Sequence, residues 1–262
     1  MTYADLRVTL AGPVGEIVLA RPETRNALTA AMGDELERAV REANAESSLR
    51  VVLVRGEGAC FSSGGDFAML SERARASETE NRTVMRRFYA SFLAIRGLAV
   101  PSIAVLEGPV VGAGLCLAMA CDIRVASKTA KLSANFVRVG LHPGMGATWL
   151  LPRLVGVSKA TELLFTGESL SAEQAQQIGL VNRVADPEAL MHEAQTLAQA
   201  VARGAPHAVA LTKATLRSND DAGLSAALDG EAEAQAQSFA SRDLHEALQA
   251  FREKRAPRFT GE

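Results

Sequence analysis

Short apolar runs rich in Val, Ile and Leu recur at 15–19, 51–54, 102–106 and 123–126, with helically spaced stretches between them. Runs this short, bounded by turn residues, have the length of buried strands. In 30–44, Met32, Leu36, Ala39 and Val40 share one side, with Glu35, Glu37, Arg38 and Arg41 largely around the rest. Strand alternating with helix predicts an α/β core. Beyond about residue 140 the pattern changes. Ser171 with Gln174 has capping-box spacing, and Asp186-Pro187 offers an N-cap with proline at the first helical position. Ala-rich helical patterns follow at 188–203, 206–217, 224–240 and 243–254, so the C-terminal third is expected to be mostly helix. The charged run 71–87 reads as a solvated loop and helix face.

The chain's 262 residues suit one large domain, with or without an appendage. Its 48% apolar and 22% charged residues exclude collagen-like, disordered and disulfide-scaffold classes. With 28 basic against 30 acidic side chains, nucleic-acid binding is not expected. Cys60, Cys116 and Cys121 form an odd set without C-x-x-C spacing, which predicts neither a disulfide framework nor a thiolate zinc site. A reducing, cytoplasmic home follows as the expectation. The start of the chain lacks a basic stretch leading into an apolar one, and no window reaches the roughly 18 apolar residues of a membrane helix. No membrane partner is expected.

Several chemistries fail at the level of motif. There is no G-x-x-x-x-G-K-[ST] loop and no G-x-S-x-G elbow, and His192-Glu193 lacks a second histidine four residues on. No metal site is expected from four scattered histidines. Gly112-Ala113-Gly114 begins like a dinucleotide fingerprint. Leu117 then occupies the third small position, and no carboxylate stands near 131 or 132.

Two glycine-rich turns remain, each following a strand run. The first is Cys60-Phe61-Ser62-Ser63-Gly64-Gly65-Asp66-Phe67, and the second runs from Glu107 through Gly108, Gly112, Ala113 and Gly114 to Leu115. Small residues let another molecule approach the backbone, and a helix start leaves amide donors unpaired. Taken singly, either is an ordinary close-packed turn. Together they can aim two N–H groups at one oxygen, as an oxyanion hole for a thioester carbonyl requires.

These segments resemble the signatures of the enoyl-CoA hydratase/isomerase (crotonase) superfamily. The resemblance extends to Arg21-Pro22-Glu23-Thr24-Arg25-Asn26-Ala27-Leu28, to 120–126, to 140–148 and to 250–255, in the family's order over nearly the whole chain. It implies an α/β fold, a crotonase-like spiral of ββα units at 1–195 holding an acyl-CoA site. A helical C-terminal region at 196–262 would complete a homotrimer or hexamer. It implies an enzyme of fatty acid metabolism acting on an acyl-CoA or acyl-carrier thioester, with coenzyme A part of the substrate and no other cofactor. The Gly65 and Ala113 amides correspond to the oxyanion pair, with Ala113 standing where glycine is usual. Thr24, Arg25, Ala27, Ser63, Gly64 and Asp66 match stretches lining the adenine and pantetheine path. Phe251 and Lys254 match C-terminal CoA contacts, frequently made across a subunit interface. Lys254 is equally readable as a solvated charge and Asp66 as a helix cap.

The sequence departs from the family where its hydratases resemble one another in two glutamates. Alignment puts Cys116 at the first position and Phe136, on the substrate side, at the second. Water addition needs a base and an acid, each worth about 10²–10⁴-fold. The departure favours a double-bond isomerase or a carboxyacyl-thioester decarboxylase over a hydratase, with a non-catalytic acyl-CoA-binding subunit as the alternative. Asp66, Glu72, Cys116 and His142 are the groups to try as proton carriers. Cys116 has the blander reading of a core residue and His142 that of a structural one.

Overall fold

Residues 51–54 and 102–106 are buried without exception, because the sheet they build is covered on both faces. The computed structural model describes residues 2–220 and 223–257. Its strands are β1 Leu6–Thr9, β2 Val14–Leu19, β3 Val51–Gly56, β4 Ser102–Leu106, β5 Pro109–Val111, β6 Ile123–Ser127, β7 Lys131–Ser133, β8 Ser169–Ser171 and β9 Arg183–Ala185. The helices are α1 Ala30–Ala45, α2 Phe67–Arg73, α3 Glu78–Leu93, α4 Ala113–Ala120, α5 Ala147–Val155, α6 Val157–Thr166, α7 Ala172–Gln177, α8 Leu190–Ala202, α9 Pro206–Asp220, α10 Leu224–Ala240 and α11 Arg242–Glu253.

Successive turns of chain lay one strand in each of two sheets. The larger has the order β1-β2-β3-β4-β6-β9 and the smaller β5-β7-β8. Thus β4, β5 and α4 form one ββα turn, and β6, β7 and α5 the next. Strands β4 and β6 pair in parallel, as do β5 and β7 one layer away. The α/β spiral and its helical C-terminal region are therefore both present.

Alternation along the central strands divides the interior. Val52, Val54, Ala104 and Leu106 face the main core with α1, α3 and α4. Val51, Leu53, Ile103, Val105 and Val125 meet Leu190, Ala194 and Ala198 of α8. The division set at 195 and 196 falls in the middle of this helix, which covers the sheet as one piece. Next, α9 is fixed by charge: Lys213 and Arg217 reach Asp122 at 2.8 and 2.7 Å. Finally α10 packs along α3, and α11 follows it, contributing Leu244, Ala247, Leu248 and Phe251 to the wall of a cavity.

The predicted capping box exists, with both Ser171 and Gln174 hydrogen bonds made. Asp186 precedes a 3-10 turn at Pro187–Ala189, but its side chain makes no capping bond. The run expected to be a solvated face contains most of α3. Most of its charges line the outside, Arg73 being buried, while Met85, Phe88, Tyr89 and Phe92 of α3 are buried on the inner side.

Candidate active site

The two glycine turns are stitched together before any ligand is considered. Phe61 N donates to Glu107 O at 2.8 Å, Ser62 N to Pro109 O at 3.2 Å and Val111 N to Ser62 O at 3.0 Å. On its other side the first turn bonds the 25–28 segment: Leu28 N donates to Gly64 O at 2.8 Å, and Asp66 N to Leu28 O at 3.1 Å. Asn26 locks this junction. It holds a left-handed φ of 54°, and its fully buried amide donates to Glu57 O at 2.9 Å and Cys60 O at 2.7 Å. Such a backbone conformation costs a non-glycine residue about 1–3 kcal/mol and persists because the side chain is over-determined.

Glycine is required where the turns meet. Gly64 has φ 97°, and a Cβ there would stand 2.9 Å from Val111 O and 3.7 Å from Ala113 N. Gly112, at φ 52° and ψ −119°, turns the chain from β5 into α4. The consequence lies in the amides between. Gly112 N is taken by Ser133 O and Gly64 N by the Ser62 hydroxyl, whereas Gly65 N and Ala113 N have no acceptor among the described residues. Both residues line one cavity of about 450 Å³. Ala113 is the first residue of α4, so its N–H is free by helix geometry and the helix dipole adds to it.

The same cavity gathers Thr24, Arg25, Ala27, Ser63, Gly64, Asp66, Phe136 and Phe251. Asp66 also does what its blander reading holds: its carboxylate accepts from Ala68 N at 2.9 Å and Met69 N at 3.3 Å, capping α2. Phe251 stacks on Phe67 of the same chain, centroids 5.0 Å apart. Apolar side chains form most of the remaining wall, among them Met69, Leu70, Met85, Phe88, Val139, Leu141 and Leu248.

Four residues singled out from the sequence are not in that wall. Cys116 lies one helical turn beyond Ala113, but α4 is buried on every side, and its thiol points at Gly144 O, 3.4 Å away. Burial first, and the nearby Glu231 charge second, push this thiol well above its ordinary range. His142 is half-buried, with Nδ1 2.7 Å from Pro143 O; burial lowers its ring below the usual histidine value. Lys254 closes α11 in a left-handed conformation and is exposed. Glu72 pairs with Arg73 and lies outside the wall.

What the sequence reading missed is a polar seam between α10 and residues 142–148, the loop leading into α5 and that helix's first turn. Glu231, 2% exposed, accepts from Gly146 N at 2.6 Å, from Thr148 N at 2.8 Å and from the Thr148 hydroxyl. Burial raises its carboxyl while these bonds oppose the rise. Ser238 accepts from His142 N at 3.1 Å. Between them Gln235 donates to His142 O at 2.9 Å and accepts the Tyr89 hydroxyl; both Gln235 and Tyr89 line the cavity. Tyr89 is one of two tyrosines in the chain, the only local signal that pointed to it.

Comparison with known proteins agrees with this geometry. Residues 10–262 match the family described as Enoyl-CoA hydratase/isomerase. Enoyl-CoA hydratase domain-containing protein 2, mitochondrial, of Bos taurus is 40% identical, covering 97% of this chain and 87% of the bovine protein. The enoyl-CoA isomerase/hydratase Fer4 of Mycosarcoma maydis is 34% identical over 95% of this chain and 93% of its own length. The crystal structure of an enoyl-CoA hydratase from Mycobacterium avium subsp. paratuberculosis superposes with a TM-score of 0.86 at 30% identity, covering 99% of this chain and all of that one. Fold, paired glycine turns and sequence thus converge, and the chain belongs to the enoyl-CoA hydratase/isomerase family.

Proposed function

We propose that the chain stabilises the enolate of an acyl-CoA thioester with the Gly65 and Ala113 amides. On this reading it decarboxylates or isomerises its substrate rather than hydrating it. The observation that carries this reading is the pairing of two unbonded amides with a cavity whose only acidic lining side chain, among the described residues, is the capping Asp66. Conjugate addition of water needs groups to activate the water and to protonate the α-carbon. Phe136 can do neither, and the Cys116 thiol is turned away toward Gly144 O.

Loss of CO₂ makes no such demand. The bond from the α-carbon to the carboxylate breaks, and its electron pair moves into the thioester, forming the enolate. Two N–H groups meet the developing negative oxygen, CO₂ leaves, and the α-carbon then takes a proton from water. Isomerisation requires one group to move a proton between carbons; Cys116, His142 and Glu72 do not line the cavity, and the Asp66 carboxylate, which does, is engaged in accepting from Ala68 N and Met69 N. The geometry therefore favours decarboxylation.

The same reading places the protein in homotrimers or hexamers. Exposed Val157 and Phe165 on α6 and Leu211 and Leu216 on α9 support burial against other copies. No helix among the described residues is long and apolar enough to cross a membrane.

A panel of crotonyl-, 3-enoyl- and malonyl-type CoA thioesters tests the proposal. Turnover of a malonyl- or 3-enoyl-type thioester should exceed crotonyl-CoA hydration by about 10²-fold or more, the scale of one lost acid or base. Brisk crotonyl-CoA hydration that survives both Cys116→Ala and His142→Ala would sink it. Tight binding without turnover of any thioester would identify an acyl-CoA-binding subunit instead.

A further inference from the structure

The hydrogen bonds of Gln235 do not use up its side chain. A carbonyl oxygen only accepts, so the group facing His142 O at 2.9 Å must be Nε2, and Oε1 then faces Tyr89. Tyr89 is thereby the donor, its hydroxyl hydrogen committed to Gln235. The second hydrogen on Nε2 has no acceptor among the described residues, although Gln235 is only 3% exposed and Tyr89 1%. A buried donor left unpaired costs about 1–3 kcal/mol.

The spare hydrogen is beside open space. Gln235 lines the cavity; Glu231 and Ser238, one turn away on either side along the same helix face, do not. Gly144 borders this corner. A Cβ there would overlap the Tyr89 hydroxyl and stand 2.9 Å from Gln235 Nε2, so glycine leaves the amide reachable. Met85, Phe88, Leu141 and Met145, which line the same cavity, offer no side-chain oxygen. A purely alkyl chain bound here would seal the N–H unpaired.

We propose that Gln235 Nε2 donates this hydrogen to an acceptor oxygen on the acyl group. The chain would then select thioesters that carry a ketone, hydroxyl or carboxylate oxygen beyond the thioester carbonyl. The inference rests on the acyl-CoA reading of the cavity, but not on which reaction follows. Tyr89 and His142 O act as positioning groups that fix the amide's orientation.

Isothermal titration of the full chain tests this with butyryl-CoA, acetoacetyl-CoA, 3-hydroxybutyryl-CoA and glutaryl-CoA, whose carboxylate has no labile bond to the α-carbon. At least one oxygenated ligand should bind about tenfold more tightly than butyryl-CoA, the worth of one well-made buried hydrogen bond. Which one leads identifies ketone, hydroxyl or carboxylate. Gln235→Leu should erase that preference, the oxygenated ligand and butyryl-CoA then binding within about twofold of each other on the same variant. If the leucine variant does not fold, Gln235→Glu serves: its protonated form keeps the Tyr89 and His142 bonds but has no second hydrogen. A wild-type protein that binds butyryl-CoA at least as well as the others overturns the inference, as does a preference that survives either variant. Failure of every CoA ligand to bind would overturn the acyl-CoA reading itself.

Discussion

Ala113→Pro should lower turnover about 10²–10³-fold on whichever thioester proves fastest, the typical cost of one oxyanion donor. The substitution removes one N–H and puts the ring Cδ in its place, so both the donor and the room for an acceptor oxygen are lost. Ala113 is the first residue of α4, where proline's fixed φ suits the helix and its missing N–H breaks no intrahelical bond. The amide it removes donates to nothing in the described protein, so the fold loses little. Ala113→Gly is the control: it deletes the methyl group, keeps the N–H and should stay within a few-fold of wild type. Steady-state kinetics of both, beside thermal melts, separate the roles. Equal activity of the proline variant and wild type would mean that the Ala113 amide is a bystander.

Asp122→Asn should cost about 3–5 kcal/mol of stability at neutral pH, the usual penalty for stripping one partner from a buried charge cluster. Asp122 accepts from Ser102 N and the Ser102 hydroxyl at 2.8 and 2.9 Å, and it neutralises Lys213 and Arg217. Lys213 is 7% exposed, with a second bond to Val100 O at 2.8 Å, so it cannot relax into solvent cheaply. Burial alone would raise the Asp122 carboxyl, but the Lys213 and Arg217 charges outweigh it and hold the group below the ordinary carboxylate range. A folded pKa below the unfolded one gives stability that is complete above the unfolded value and is lost as pH falls through the folded one. Urea unfolding at neutral and acidic pH should therefore show the variant's deficit shrinking on the acid side. A deficit under 1 kcal/mol at neutral pH would contradict the assignment of this cluster as the clamp on α9.

The central strands were legible because burial on both faces writes them as continuous apolar runs: Val51–Val54 is such a run, and its strand extends it by two residues to Gly56. Helix α1 was equally clear, since Met32, Leu36, Ala39 and Val40 recur at helical spacing; the Thr29 cap that starts it is seen in the structure. By contrast, β5, β7 and β8 are three residues each, too short for any periodicity to register. In α3 the charges of the outer face masked an inner row carrying Tyr89.

The site divides in the same way. The resemblance of the two glycine-rich turns to the family's signatures singled out Gly65 and Ala113, and both residues line one cavity with amides that have no acceptor among the described residues. Alignment named Cys116, but which side of a fully buried helix meets the cavity depends on the segment around Gly144 packed against it. The Tyr89 and Gln235 pair joins positions 146 residues apart, on helices brought together only by tertiary packing. No local pattern encodes such a pair.

Catalysis resting on two backbone donors is tested most directly by the carbonyl stretching band of a bound thioester. Difference infrared spectra of the protein saturated with ¹³C-carbonyl butyryl-CoA should show the band displaced to lower frequency than in water. In Ala113→Pro a large part of that displacement should be gone. A band at its aqueous position in the saturated wild-type complex would contradict the account.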